Sequence, residues 1–248
     1  MTIYGKTDTG IRRRNNEDSL FYSCAPVGIF DALMIVCDGM GGHSYGEIAS
    51  ETACRTIVDV IREAPMDNPG FIMDQAISIA NLEVRKKSEE LRSFGMGTTC
   101  VLVGLIQHHV YVGNVGDSRL YVVNSIENSI TQITRDHSYV EEMVEKGLIE
   151  RGSEIYESQK NVITRAIGIY SEVETDEFDF ELQEGDILLL CTDGLTNMVE
   201  DRMIKALTLD DSFPLEKRVD TLISVANSHG GKDNITVILC REEEERHD

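Results

Sequence analysis

Two apolar runs far apart in the chain end in the same way. Ala32-Leu33-Met34-Ile35-Val36-Cys37 runs into Asp38-Gly39, and Ile187-Leu188-Leu189-Leu190-Cys191-Thr192 runs into Asp193-Gly194. A short run of this length, rich in branched residues and closed by Asp-Gly, reads as a buried strand that delivers a carboxylate at its end. The glycine reads as the turn that follows, because it adopts backbone conformations other residues resist. Further acidic ends at Glu17-Asp18, Gly116-Asp117 and Asp233-Asn234 imply that several strand ends converge on a shared cation.

The rest of the chain supplies partners for such strands. Strand-like runs occur around Ile3-Tyr4, Leu33-Cys37, Thr98-Ile106, Val110-Val115, Leu120-Val123, Phe178-Leu182, Ile187-Cys191 and Ile235-Cys240. Three segments have helical period instead: Gly46 to Ile61, Pro69 to Leu91 and Pro214 to Ala226, each with an apolar residue every third or fourth position. Asn68 is placed to cap the second, with Pro69 at the first helical position, where its missing N–H costs nothing. Strands, two consecutive helices, a block of strands, then a helix and a closing strand predict an α+β architecture with helices segregated onto antiparallel sheets. The repeated strand ending in Asp-Gly, once in each half, favours two sheets face to face with their carboxylate-bearing ends at one rim.

The 248 residues fit one domain. The 23 Lys and Arg against 44 Asp and Glu leave a net charge of -21, which opposes nucleic-acid phosphates and anionic lipid. Part of the excess reads as metal ligands, and the run Glu242 to Glu245 reads as a solvated tail. Six cysteines without paired spacing, most inside apolar runs, read as small buried hydrophobes of a reducing compartment. No apolar stretch reaches the roughly 20 residues that span a bilayer, and MTIYGKTDTG lacks the regions of a signal peptide. The expectation is a cytoplasmic protein without direct membrane insertion.

Carboxylates, a backbone carbonyl and water, without His or Cys, make a hard-oxygen site suited to Mg²⁺ or Mn²⁺. No segment has the tightly spaced acidic loop of an EF-hand, and Gly41-Gly42 lacks the Lys-Ser/Thr of a nucleotide P-loop. Two such ions about 3.5–4 Å apart can clamp a phosphate during in-line attack. Arg12-Arg13-Arg14 stands just before this acidic set, and an arginine fork grips two phosphate oxygens at once. The cysteines do not support a nucleophilic alternative: the one Cys-x5-Arg spacing, Cys240 to Arg246, encloses four glutamates, which oppose a phosphate.

Eight motifs now follow in order: RRRNNEDS (Arg12 to Ser19), VCDGMGGH (Val36 to His43), GMGTT (Gly95 to Thr99), VGDSRLY (Val115 to Tyr121), DHS (Asp136 to Ser138), NVITRAIG (Asn161 to Gly168), CTDGLTN (Cys191 to Asn197) and GGKDNITV (Gly230 to Val237). Together they resemble the motifs of bacterial type 2C serine/threonine phosphatases, the metal-dependent PPM family, over nearly the whole chain. The resemblance implies two face-to-face antiparallel β-sheets flanked by helices, a four-layer α-β-β-α sandwich. The catalytic domain would span 1–241, with a flap over about 137–168 and an acidic tail at 242–248.

The resemblance also implies roles for single residues. Asp38 would bridge two ions, Gly39 would give one its carbonyl, and Asp193 and Asp233 would complete the other. Asp18, with Glu17 beside it, lies where the family contacts the second metal. Arg13 aligns with the phosphate-binding arginine, leaving Arg12 and Arg14 to the surface, and Asp117 matches the ligand of a third, weaker ion. The place of the histidine thought to act as general acid in animal relatives holds Met40, with His43 further on, and water is an alternative acid. His137, His229, Thr98 and Thr99 read as structural.

The implied activity is hydrolysis of phosphoserine and phosphothreonine by a metal-bridging hydroxide, in a monomer serving a bacterial Ser/Thr kinase and its substrates. Two alternatives are a phosphoprotein-binding pseudophosphatase and a phosphatase dedicated to one partner, as in anti-sigma-factor control.

Overall fold

The computed structural model describes residues 1–41, 45–66 and 68–242. The expectations for His43 and for the tail beyond Glu242 lie outside the described residues. The first half of the chain contains β1 (Thr2–Asp8), β2 (Asp18–Ser23), β3 (Ala32–Met40), α1 (Tyr45–Glu63), α2 (Pro69–Leu91), β4 (Gly97–Thr98), β5 (Cys100–Ile106) and β6 (His109–Val115). There follow β7 (Arg119–Asn124), β8 (Ser129–Gln132), α3 (Tyr139–Glu145), α4 (Glu154–Gln159), β9 (Asp176–Glu181) and β10 (Asp186–Cys191). The chain closes with α5 (Asp193–Thr196), α6 (Asp201–Thr208), α7 (Leu215–Ser228) and β11 (Ile235–Arg241).

Two sheets form, with strand orders β1-β11-β10-β7-β8 and β2-β3-β5-β6-β9, and β4 pairs with β3. Each strand pairing is antiparallel. Alternation along the strands divides the apolar residues among three cores. On β3, Ala32, Met34 and Val36 pack between the sheets with Leu188 and Leu190 of β10 and Ile238 of β11. Leu33, Ile35 and Cys37 turn the other way, onto the buried stripe of α1 and α2 that includes Ala49, Ala53, Ile57 and Ala76. Leu189 and Cys191 likewise face away, onto Val219, Leu222 and Ala226 of α7. Helices, sheet, sheet and helices are therefore four layers, as the motif resemblance implies. Successive strand residues point to opposite faces, so a fully apolar strand is required wherever both faces are covered.

Capping begins the longest helix where the sequence predicts: Asn68 accepts from the Phe71 N–H, and Pro69 stands in the first turn. Five of the six cysteines are buried and all are free. Among the described residues no helix is long and apolar enough to cross a membrane.

The structure corrects the reading of the two Asp-Gly pairs as turns. Asp38 and Gly39 remain within β3, where Gly39 is opposite Thr98 of β4, and Asp193-Gly194 opens α5. Neither glycine has a positive φ. Both are required for room: a Cβ on Gly39 would run into the carbonyls of Gly46 and Glu17, and one on Gly194 into the carbonyl of Asn234. The region 137–168, expected as a flap, contains α3 and α4. The strands β2 and β8 and the helices α5 and α6 were also not foreseen.

Candidate active site

Strand register gathers the acidic residues at one end of the sandwich. Asp18, the first residue of β2, is directly opposite Asp38 of β3. Cys100, at the start of β5, is opposite Val115, at the end of β6, so the following Gly116-Asp117 turn lies at the same end. In the other sheet Cys191 is opposite both Arg119 and Val237, which brings Asp193 and Asp233 to that rim. The predicted residues Asp18, Asp38, Gly39, Asp117, Asp193 and Asp233 thus come from five strand ends of two sheets.

Each carboxylate is held from its own neighbourhood. Asp18 is buried, and its Oδ2 accepts from the hydroxyls of Thr236 at 2.6 Å and Thr192 at 3.0 Å. Asp193 Oδ2 accepts from the Asn197 side-chain amide at 2.9 Å. The Oδ1 atoms of both residues are buried and meet no hydrogen-bond donor. The backbone of Asp38 is clamped: its N–H donates to Thr99 Oγ1 at 2.9 Å, while its carbonyl accepts from the Thr99 N–H and the Thr98 hydroxyl. Thr99 Oγ1 also shares a 2.8 Å hydrogen bond with Ser118 Oγ, which ties Asp38 to the turn bearing Asp117. That turn needs Gly116, at φ 107°. Behind it, buried His137 receives the Gly116 N–H on Nδ1 at 3.0 Å and pairs through Nε2 with Asp176 at 3.1 Å, a structural strut as expected.

Electrostatics mark the rim as poised for cations. Burial pushes the Asp18 carboxyl up to about 7 against the Thr236 and Thr192 hydrogen bonds, and the charges of Asp193 and Asp233 raise it further. Burial likewise raises Asp117 to about 8, with Asp193 and Asp136 adding to it, and Asp193 to about 6, with Asp233 adding to it. Asp38 is driven well above the carboxylate range by burial and then by Asp18, Asp193, Asp117 and Asp233. Carboxylates that would rather be neutral are what a buried cluster gives until cations neutralise it. Among the described residues no three acidic, His or Cys side chains are drawn into a closed ligand cage. Hard oxygen donors, with two buried Oδ1 atoms lacking any donor, nevertheless fit Mg²⁺ or Mn²⁺ in chemistry.

Arg13 reaches the rim from the β1–β2 loop and binds Asp233 Oδ2 at 2.7 Å, both side chains partly exposed. Asn234 pins that loop: its amide donates to the carbonyls of Thr9 and Asn15, and its Oδ1 accepts from the Glu17 N–H. The Glu17 carboxyl is raised by burial, although Arg13 lowers it, and it receives a hydrogen bond from the Gly46 N–H. Sequence reasoning missed the roles of Asn234, Thr192 and Thr236, although all three lie within the motifs CTDGLTN and GGKDNITV that carry Asp193 and Asp233. It also missed the Arg119–Asp136 pair, bidentate at 2.6–3.1 Å with Tyr121 OH on the other guanidinium nitrogen.

A family model described as Protein phosphatase 2C matches residues 11–240. The chain belongs to the protein phosphatase 2C family. Within it, the chain is 38% identical over 244 residues to the serine/threonine phosphatase stp of Listeria monocytogenes serotype 4b, covering 94% of this chain and 93% of that protein. It is 34% identical to the protein phosphatase PhpP of Streptococcus pneumoniae, covering 99% of each. The solved catalytic domain of the serine/threonine protein phosphatase PstP, in complex with two manganese ions, superposes with a TM-score of 0.82 at 31% identity and 96% coverage of both chains. The present chain is a protein phosphatase of the 2C type, with the two-sheet architecture of those structures.

Proposed function

We propose that the rim hydrolyses phosphoserine and phosphothreonine in proteins with the help of two Mn²⁺ or Mg²⁺ ions, with a third at Asp117. The observation that carries this reading is the convergence of five aspartates on one rim, two of them with a buried Oδ1 that no donor meets. Asp38, Asp18, Asp193 and Asp233, with the Gly39 carbonyl, would hold the two central ions. Such ions, when bound, supply a nucleophilic water at neutral pH and clamp phosphoryl oxygens for in-line attack.

The chain's own residues do the positioning. The Thr98–Thr99 clamp fixes the backbone of Asp38, and the Thr192 and Thr236 hydroxyls orient Asp18 so that one oxygen is committed to the protein and the other faces the cluster. Arg13, held at the rim by Asp233, would exchange that partner for two phosphoryl oxygens. The segment 137–168 acts as a flap beside the substrate. The substrates are proteins phosphorylated by a bacterial Ser/Thr kinase, and the enzyme works as a monomer in the cytoplasm, a compartment in keeping with six free cysteines, five of them buried. Matched phosphoserine, phosphothreonine and phosphotyrosine peptides, assayed with Mn²⁺ and with EDTA, test this. Metal-dependent release from the first two only is expected, and metal-independent release would overturn it.

A further inference from the structure

Between the rim and α4 lies a cleft of about 110 Å³ with Asp117 and Asp193 on one wall and Tyr156, Lys160 and Asn161 on the other. Its lining contains two cations. Arg119 is already neutralised by its bidentate partner Asp136. Among the described residues Lys160 is paired only with Glu157 one helical turn earlier, at 3.1 Å, with the two side chains 33% and 56% exposed. An exposed pair of this kind contributes little, so Lys160 is free to change partners.

Its position, by contrast, is fixed. The Tyr156 hydroxyl donates to Glu141 Oε1 at 2.6 Å, and Glu141 is buried and also gripped by Arg151 at 2.7 Å. Ser153 caps α4 by accepting from the Tyr156 N–H. On the far side of Lys160, the Val162 N–H donates to Gln159 and the Val162 carbonyl accepts from the Tyr139 N–H. Lys160 is thus carried between two anchored points, beside Asp117 and Asp193, while Arg13 reaches the rim through Asp233, which does not line this cleft.

We propose that Lys160 reads an anionic side chain next to the phosphorylated residue, so that the enzyme favours phosphosites flanked by Asp, Glu or a second phosphate. This rests on the rim being the phosphate site. With the phosphoryl group at Arg13, the polypeptide leaving the rim past Asp193 would pass under α4, where the Lys160 ammonium can exchange its exposed partner Glu157 for an acid on the substrate and repels a lysine.

The test compares kcat/KM for phosphothreonine peptides that differ only in flanking Glu, Lys or phosphoserine, for the wild type, Lys160→Ala, Lys160→Arg and Lys160→Glu. The ratio of Glu-flanked to Lys-flanked turnover is the readout, since it cancels any general change in activity. Wild type and Lys160→Arg should favour the Glu-flanked peptide roughly three- to fivefold, the scale of a partly exposed charge pair, and Lys160→Ala should bring the ratio near one. Lys160→Glu should invert it, and a gain with the phosphoserine flank that vanishes in the same variant would extend the preference to a second phosphate. A wild-type ratio of one, or the same ratio in Lys160→Glu, overturns the proposal. Either result leaves the rim assignment standing, because that fails separately, through an Asp38→Asn variant that remains active on every peptide.

Discussion

Asp38 is the residue on which the site turns, because its backbone is fixed by three hydrogen bonds with Thr98 and Thr99, two accepted and one donated, while its carboxyl feels four other aspartates. Asp38→Asn removes charge and almost no volume. Turnover should fall by more than the roughly 10–100-fold that loss of a partner behind a metal ligand costs, while the melting temperature without metal holds or rises. Steady-state kinetics in saturating Mn²⁺ and a melt in EDTA check the two halves; wild-type turnover would remove Asp38 from the site. Arg13 makes a different prediction, because its guanidinium sits on Asp233 at 2.7 Å. Arg13→Ala should raise KM for a phosphopeptide with a smaller change in kcat, the pattern of an interaction shared by ground and transition states. The same change frees Asp233, so the Mn²⁺ concentration giving half-maximal activity should not increase. A variant that needs more metal would show Arg13 supporting the ligands and not the substrate.

Among the elements, the pair α3 and α4 is the one whose stability can be separated from the rest. No residue of α4 is buried, and the pair is joined through Glu141, on which burial works against the bonds from Arg151 and Tyr156 that hold its carboxyl below the ordinary value. Breaking a buried ion pair costs about 3–5 kcal/mol where the orphaned charge stays buried. Arg151 is 70% exposed and rehydrates. Glu141→Ala should therefore loosen residues 139–160 locally, with faster amide exchange there, and shift the global melting temperature by less than the roughly 2–4 °C that 1 kcal/mol gives a chain of this size. Equal loosening of β3 or β10 would mean the segment is part of the cooperative core.

These short helices also show where sequence reading stopped. The long helices and the central strands were legible because each repeats its period over several turns or is apolar on both faces. α3 to α6 have eight residues or fewer, too short for a period, and β2 and β8 are half-exposed edge strands without a continuous apolar run. The carboxylates were legible from their place at strand ends. The threonines behind them were not, because a threonine in a strand looks the same whether its hydroxyl faces a neighbour or an aspartate. The reason for the glycines was misread for a similar cause: conformational freedom can be guessed from sequence, but the approach of Gly46 and Asn234 to Gly39 and Gly194 is tertiary.

At the scale of the molecule, three apolar cores in four layers carry the fold, and the rim is a charge defect built into one end of it. Buried carboxyls raised to about 6, 7 and 8 at Asp193, Asp18 and Asp117 hold protons that the unfolded chain releases near pH 4. Between those values the folded state binds more protons than the unfolded state, so stability falls as pH rises. The metal-free protein should therefore melt highest near pH 5 and lose stability progressively up to about pH 8. Asp176 and Glu141, whose carboxyls are held low by His137 and Arg165 and by Arg151 and Tyr156, act in the opposite sense only on acidification below about pH 4. Divalent cations reverse the trend, because they bind the ionised rim of the folded state. At a hundred times its Kd an ion at one site adds about 2.7 kcal/mol, so the gain in melting temperature from Mn²⁺ should be several degrees at pH 8 and much smaller at pH 5. Asp193→Ala should melt no lower than wild type in EDTA at pH 8 and should gain less from Mn²⁺. Melts of both proteins across pH 5–8.5, with and without Mn²⁺, decide it: a metal-free protein whose stability is flat over that range would mean that the aspartates do not share one buried field.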